Sequence, residues 1–264
     1  MKIGVFDSGL GGLVITKAFV EVLPEYDYVY YGDTKNLPYG EKNSEQVLAY
    51  TIEAIKFLIK QNCGLIIIAC NTATSVALRY LQQKFIPSYA PDVKVLGVVI
   101  PTVEEALEGN AKRIGVLATQ ATVNSHIYQQ ELLKINPDLE IFEIASPELV
   151  PAIESNNFEK AYKFAEKYAN KFDGINSLIL GCTHYPLLKT KLREICGESV
   201  KVVSQDELMG QKLADYLRRH IEIDICLSRN KEIKILVSQD DSHYREVAKS
   251  LFPNISICEV NPNA

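Results

Sequence analysis

Twice along the chain, an apolar run of strand length stops at a cysteine that opens what reads as a helix. The first is Leu65-Ile66-Ile67-Ile68-Ala69-Cys70-Asn71-Thr72-Ala73-Thr74, and the second is Ser177-Leu178-Ile179-Leu180-Gly181-Cys182-Thr183-His184-Tyr185-Pro186. Cys182 follows Cys70 by 112 positions, and Ile114-Gly115-Val116 follows Ile3-Gly4-Val5 by 111. A common offset at two separate motifs argues for two similar halves built from strand–helix units.

The rest of the chain alternates in the same way. Strands are predicted over 2–6, 27–31, 65–69, 94–98, 113–117, 139–144, 177–180, 200–203 and 233–237. Helices are predicted from Gly11 to near Pro24, from an N-cap at Ser44, over 72–85, from Pro101, and over 121–135, 147–154, 158–172, 186–195, 207–220 and 242–251. The strands are continuous apolar runs, the pattern of parallel sheets covered on both faces. The expected fold class is α/β: two similar domains, each a mostly parallel sheet flanked by helices, with the active site in the cleft between them. The first domain is expected to comprise 1–98 and 208–264, the second 99–207. With 264 residues, the chain is long enough for both to have proper cores.

Composition narrows the partners. At 47% hydrophobic and 23% charged, with a net charge of −5, the chain reads as an ordinary globular protein. It has no dense Lys/Arg block for nucleic acid or an anionic membrane. No segment approaches the ~20 apolar residues of a membrane span, and Asp7 and nearby glycines interrupt any signal-peptide core. A cytoplasmic location is therefore expected. The six cysteines form no CxxC and no metal-type pairing with the four histidines, so no metal site is expected. Gly9, Gly11 and Gly12 do not complete a dinucleotide fingerprint, because Val14 stands where its third glycine belongs. Nothing marks a pyridoxal-phosphate lysine either, and no cofactor is expected.

The chemistry then rests on the two cysteines. A thiol between a strand end and a helix start lies in the positive field of the helix terminus, which favours a lowered pKa and a nearby anion site. Asn71-Thr72 and Thr183-His184 add donors at those places. A nucleophilic hydrolase has no use for a second cysteine. Phosphatase chemistry would need an arginine where Val76 and Leu188 stand. Inversion at a carbon atom needs an acid on one face and a base on the other, and two similar thiols can exchange those roles. A dithiol redox pair and a non-catalytic bilobal amino-acid-binding module are the alternatives of other classes.

Four motifs in order carry a resemblance: Asp7-Ser8-Gly9-Leu10-Gly11-Gly12, Asn36-Leu37-Pro38-Tyr39-Gly40, Ala69-Cys70-Asn71-Thr72-Ala73 and Gly181-Cys182-Thr183-His184-Tyr185-Pro186. Together they resemble the signature of bacterial glutamate racemases, within the cofactor-independent aspartate/glutamate racemase group. The resemblance implies interconversion of L- and D-glutamate, supplying D-glutamate for peptidoglycan and so for cell-wall biogenesis and cell shape. By motif, Cys70 would exchange the α-proton of D-glutamate, assisted by Asp7, and Cys182 that of L-glutamate, assisted by His184. Asp7, Ser8, Tyr39, Gly40, Asn71, Thr72, Thr183 and His184 would bind the substrate. The Val150-Pro151-Ala152-Ile153-Glu154 segment resembles the stretch whose glutamate supports the histidine, which makes Glu154 a further catalytic candidate. An aspartate or other amino-acid racemase of the group is the nearest alternative. A homodimer is the expected assembly.

Overall fold

Strand pairing follows the doubled pattern of the sequence. The computed structural model describes residues 1–109, 111–253 and 255–262. Among these, ten strands pair, every pair parallel: β1 (Lys2–Asp7), β2 (Tyr28–Gly32), β3 (Cys63–Ile68), β4 (Lys94–Gly97), β5 (Arg113–Ala118), β6 (Glu140–Ala145), β7 (Ser177–Gly181), β8 (Lys201–Val203), β9 (Ile233–Val237) and β10 (Ile257–Glu259). One sheet runs β10-β9-β2-β1-β3-β4 and the other β6-β5-β7-β8. The stretch β2-β1-β3-β4 therefore has the same order as β6-β5-β7-β8. Registers agree as well: Val5 pairs with Ile67, and Val116 with Ile179. The late strands β9 and β10 extend the first sheet, with β9 against β2; β10 is an element the apolar pattern does not predict.

One apolar core spans both sheets. Ile3, Val5, Leu13 and Phe19 join Ile114, Val116 and Leu132, with Leu208, Met209 and Leu213 of the helix Gln205–Arg219 between them. Two further clusters cover the outer face of each sheet. Shared burial fastens the two halves together while leaving the carboxyl ends of β1, β3, β5 and β7 facing one another.

Several helix expectations change in detail. Asn43, not Ser44, caps the helix Ser44–Lys60; it accepts from Gln46 N at 2.9 Å, and Gln46 returns the contact to Asn43 N. The helix expected over 72–85 is Asn71–Tyr80, followed by a wide π turn Leu81–Phe85 and the segment Ile86–Tyr89. Pro87, which has no N–H to donate, lies just beyond that turn. The helix expected over 121–135 breaks at His126, whose φ of 51° ends Gln120–Ser125 before Ile127–Ile135 begins. The stretch expected as one helix over 186–195 starts as a 3-10 turn, Tyr185–Leu188, before Lys189–Cys196.

Candidate active site

Strand ends of both halves enclose a single narrow cavity. Ser8, Tyr39, Gly40, Cys70, Asn71 and Thr72 line it from the first half, and Thr119, Ser146, Cys182, Thr183 and His184 from the second. The space inside amounts to about 30 Å³, room for roughly two water molecules. A site of that size is too narrow, as it stands, to hold a small organic molecule.

Cys70 ends the stretch after β3 and caps the helix Asn71–Tyr80, with its sulfur accepting from Ala73 N at 3.4 Å. The Ser8 hydroxyl lies 3.7 Å from the same sulfur. The expectation of a lowered thiol pKa is reversed here. Burial pushes Cys70 well above the usual thiol value and the negative charge of Asp7 pushes it further; the Ala73 and Ser8 contacts only partly oppose this. One helix terminus is worth at most ~2 kcal/mol, whereas full burial shifts a group by up to several pKa units. Burial in the narrow cavity thus favours the thiol form of Cys70.

Cys182 stands at the matching place after β7, but its surroundings differ. No α-helix starts beside it; the chain turns through Thr183 and His184 into the short 3-10 segment that contains Pro186. Its sulfur is 3.6 Å from His184 Nδ1. His184 Nε2 is 2.5 Å from Glu154 Oε1, at the end of the helix Leu149–Glu154. The same carboxylate oxygen accepts from Leu10 N at 3.0 Å, across the cleft. Burial alone would lower the imidazole pKa; the Glu154 carboxylate and the Cys182 sulfur outweigh it and raise His184 well above its ordinary value. His184 is thus an imidazolium that can donate to both neighbours.

Asp7, at the end of β1, is fully buried. Its Oδ2 accepts from Gly9 N and Gly12 N, both at 3.0 Å, and its Oδ1 from Thr183 Oγ1 at 3.2 Å. The carboxylate therefore holds the glycine-rich start of the helix Gly11–Val22 and also reaches the opposite half. Burial raises it from 3.8 to about 6, against the lowering effects of His184 and those three hydrogen bonds.

The other predicted binding residues divide by what their polar atoms already touch. Tyr39 lines the cavity, but its hydroxyl donates to Asp33 Oδ2 at 2.6 Å. Asn71 is paired with Gln205 behind it. Thr72, Thr119 and Thr122 join hydroxyls across the cleft, with Thr72 at 2.9 and 3.2 Å from the other two. Thr119 and Ser146 are cavity residues that the motif reading missed. The internal repeat contains the signal for Thr119: adding the offset of 111 to Ser8 gives Thr119, at the end of β5 as Ser8 is at the end of β1.

Two buried thiols thus face one closed space, one beside a carboxylate and the other beside an imidazolium. The arrangement is suited to giving and taking protons on opposite sides of a small molecule. Residues 4–205 match the Asp/Glu/Hydantoin racemase family. The chain belongs to that family. Among its relatives, a protein named glutamate racemase 2 from Caldanaerobacter subterraneus subsp. tengcongensis is 36% identical over 252 residues, covering 94% of this chain and 91% of its own. The glutamate racemase of Aquifex aeolicus is 40% identical over 222 residues, 83% of this chain and 84% of its own. The crystal structure of glutamate racemase from Francisella tularensis subsp. tularensis in complex with D-glutamate superposes with a TM-score of 0.86 at 31% identity, over 99% of this chain and 98% of that one.

Glycines line the close approach between the two halves. A Cβ on Gly11 would lie 2.6 Å from Thr183 C and 2.7 Å from His184 N, and one on Gly40 would lie 2.7 Å from Thr119 Cβ. The first of these obstacles is backbone and cannot turn aside. Gly11→Ala is expected to destabilise the fold by about 1–3 kcal/mol and to slow racemase turnover, by holding the Cys182 corner away from β1. Chemical unfolding alongside turnover measures both; unchanged stability with unchanged turnover would refute the close contact.

Proposed function

We propose that the chain is a glutamate racemase that interconverts L- and D-glutamate without a cofactor, using Cys70 and Cys182 as its two acid–base groups. The observation that carries this reading is the pair of buried sulfurs lining one closed cavity from opposite halves. In each direction one thiolate removes the α-proton and the opposite thiol returns a proton to the other face of the planar carbanion. The cofactor-free carbanion would be held by hydrogen bonds and by the substrate's own ammonium in a closed, water-poor site.

Residue roles follow the surroundings. Asp7, still an available base near neutral pH, serves Cys70, the acceptor for D-glutamate. His184, aligned by Glu154, serves Cys182 on the L-glutamate side. Asp7, Ser8, Tyr39, Gly40, Asn71, Thr72, Thr183 and His184 bind the substrate. The units that move apart to admit it are read as 1–98 with 208–264 and as 99–207; the composition of the two sheets supports that division. The product would enter peptidoglycan synthesis, and so wall formation and cell shape, in the cytoplasm. A homodimer is the proposed working form, which light scattering at working concentration would test.

The activity is tested by incubating the protein with each glutamate enantiomer in D2O, without added cofactor. Deuterium is expected at Cα together with loss of optical rotation. No exchange with either enantiomer would exclude the racemase reading, and exchange with aspartate alone would move the substrate to that acid.

A further inference from the structure

A buried amide outside the motifs, Gln205, stands behind the Cys70 corner, and its role rests on the proposed racemase activity. Gln205 opens the helix Gln205–Arg219, immediately after the chain leaves β8 of the second sheet, and it is fully buried. None of the four motifs contains it. Its side chain nevertheless reaches the Cys70 corner, where it forms a reciprocal amide pair with Asn71. Asn71 Nδ2 donates to Gln205 Oε1 at 2.9 Å, and Gln205 Nε2 donates to Asn71 Oδ1 at 2.9 Å. Tyr128, in the helix Ile127–Ile135, donates its hydroxyl to the same Asn71 oxygen at 2.6 Å.

The direction of these bonds is fixed from the far end. Thr102 Oγ1 donates to Val98 O at 2.6 Å, where the chain passes from β4 into the helix Val99–Leu107. Its proton committed, that hydroxyl accepts from Gln205 Nε2 at 3.0 Å. Gln205 must then present its nitrogen towards Thr102 and Asn71 Oδ1, leaving Oε1 for Asn71 Nδ2. A flipped Asn71 amide would set donors against donors. Both lone pairs of Asn71 Oδ1 are engaged, and one of its two N–H groups is used. The one remaining hydrogen-bonding function of this cavity-lining side chain is a single N–H.

We propose that Gln205 is a positioning residue: together with Tyr128 and Thr102 it fixes Asn71 as a donor only, so that Asn71 receives a carboxylate oxygen of the substrate and rejects the ammonium. The network starts at one passage between the sheets, at Val98, and runs through the other, at Gln205. The donor is therefore correctly aimed when the two passages are in their closed arrangement.

An oriented donor to a carboxylate binds ground and transition states alike, so its loss appears in KM before kcat. Gln205→Met keeps the length and removes every hydrogen bond. It is expected to raise KM for both glutamate enantiomers about tenfold, in line with a charge-assisted hydrogen bond, with kcat within about threefold. Gln205→Glu has at most one proton, where the amide has two, to share between Asn71 Oδ1 and Thr102 Oγ1, and it too is expected to raise KM. Tyr128→Phe, which deletes one oxygen, carries the same test if the methionine variant does not fold, with an expected rise of about threefold. KM values within twofold of the parent in the variants that fold, or a fall in kcat at unchanged KM, would overturn the assignment. Failure of the parent protein to exchange the α-proton would instead count against the racemase reading itself, and the two failures are separable in one set of assays.

Discussion

Cys182→Ser and Cys70→Ser are each expected to lower glutamate interconversion by about 10³-fold or more, within the 10²–10⁴ range attributed to one positioned acid–base group. A serine hydroxyl is too weak an acid to exchange the α-proton, and neither site offers a replacement. Around Cys70 stand the Ser8 hydroxyl, the Ala73 N–H and the Asp7 carboxylate, whose oxygens are taken up by Gly9 N, Gly12 N and Thr183 Oγ1. Beside Cys182, His184 is held as an imidazolium by Glu154, so it has no free lone pair with which to act as the base. The two variants should also differ. With one thiol left, an enantiomer that presents its α-proton to that thiol can still exchange it with solvent, without inverting. Cys70→Ser should retain slow deuterium uptake from L-glutamate and lose it from D-glutamate, and Cys182→Ser should do the opposite. NMR in D2O on each pure enantiomer reads this directly. Near-normal turnover by either variant, or equal exchange on both enantiomers, would falsify the two-base assignment.

The doubled architecture was legible because it depends on apolar runs and an offset. Ile3-Gly4-Val5 and Ile114-Gly115-Val116 do become β1 and β5, the strands that pair with β3 and β7 beneath the two cysteines. The cysteine and Asp7 motifs are also brought together, because each lies at a strand end on the shared rim, and Glu154 joins them from the end of the helix Leu149–Glu154 through His184. What one-dimensional reading misses are contacts made only when the halves meet. Gln205 reaches Asn71 across 134 positions, and Thr119 reaches Thr72 across 47. The two corners also proved less alike than their spelling. Pro186 and the 3-10 turn replace the helix start expected after Cys182, and burial reverses the thiol shift expected at Cys70. A helix terminus is visible in sequence; desolvation depends on how the two halves pack, which sequence does not display.

Asp7→Asn should make the protein more stable at neutral pH and much less active. The carboxyl of Asp7 titrates at about 6 in the fold against an ordinary 3.8. Below 3.8 both folded and unfolded chains hold the proton, and this group adds no pH dependence. Between 3.8 and 6 the unfolded chain releases it first, so stability falls as pH rises; above 6 the full cost, about 3 kcal/mol, is present. Asparagine is neutral throughout. It can still accept from Gly9 N and Gly12 N through its oxygen, and donate to Thr183 Oγ1 through its nitrogen. The variant should therefore melt roughly 5–10 °C higher at pH 7–8, with the advantage shrinking to nothing near pH 4. His184 acts in the same sense at higher pH. Its raised pKa means that its contribution is complete below the ordinary imidazole value and is lost as pH rises through the elevated one, so an alkaline decline should persist in the variant. Turnover should fall by about 10² or more, since the basic partner proposed for Cys70 is gone. Thermal melts of both proteins from pH 4 to 9, beside racemisation rates, test the two halves together. An asparagine variant less stable than the parent at pH 8 would show that the buried carboxylate is held by its hydrogen bonds rather than strained by burial, and the role of Asp7 as a poised base would lose its physical ground.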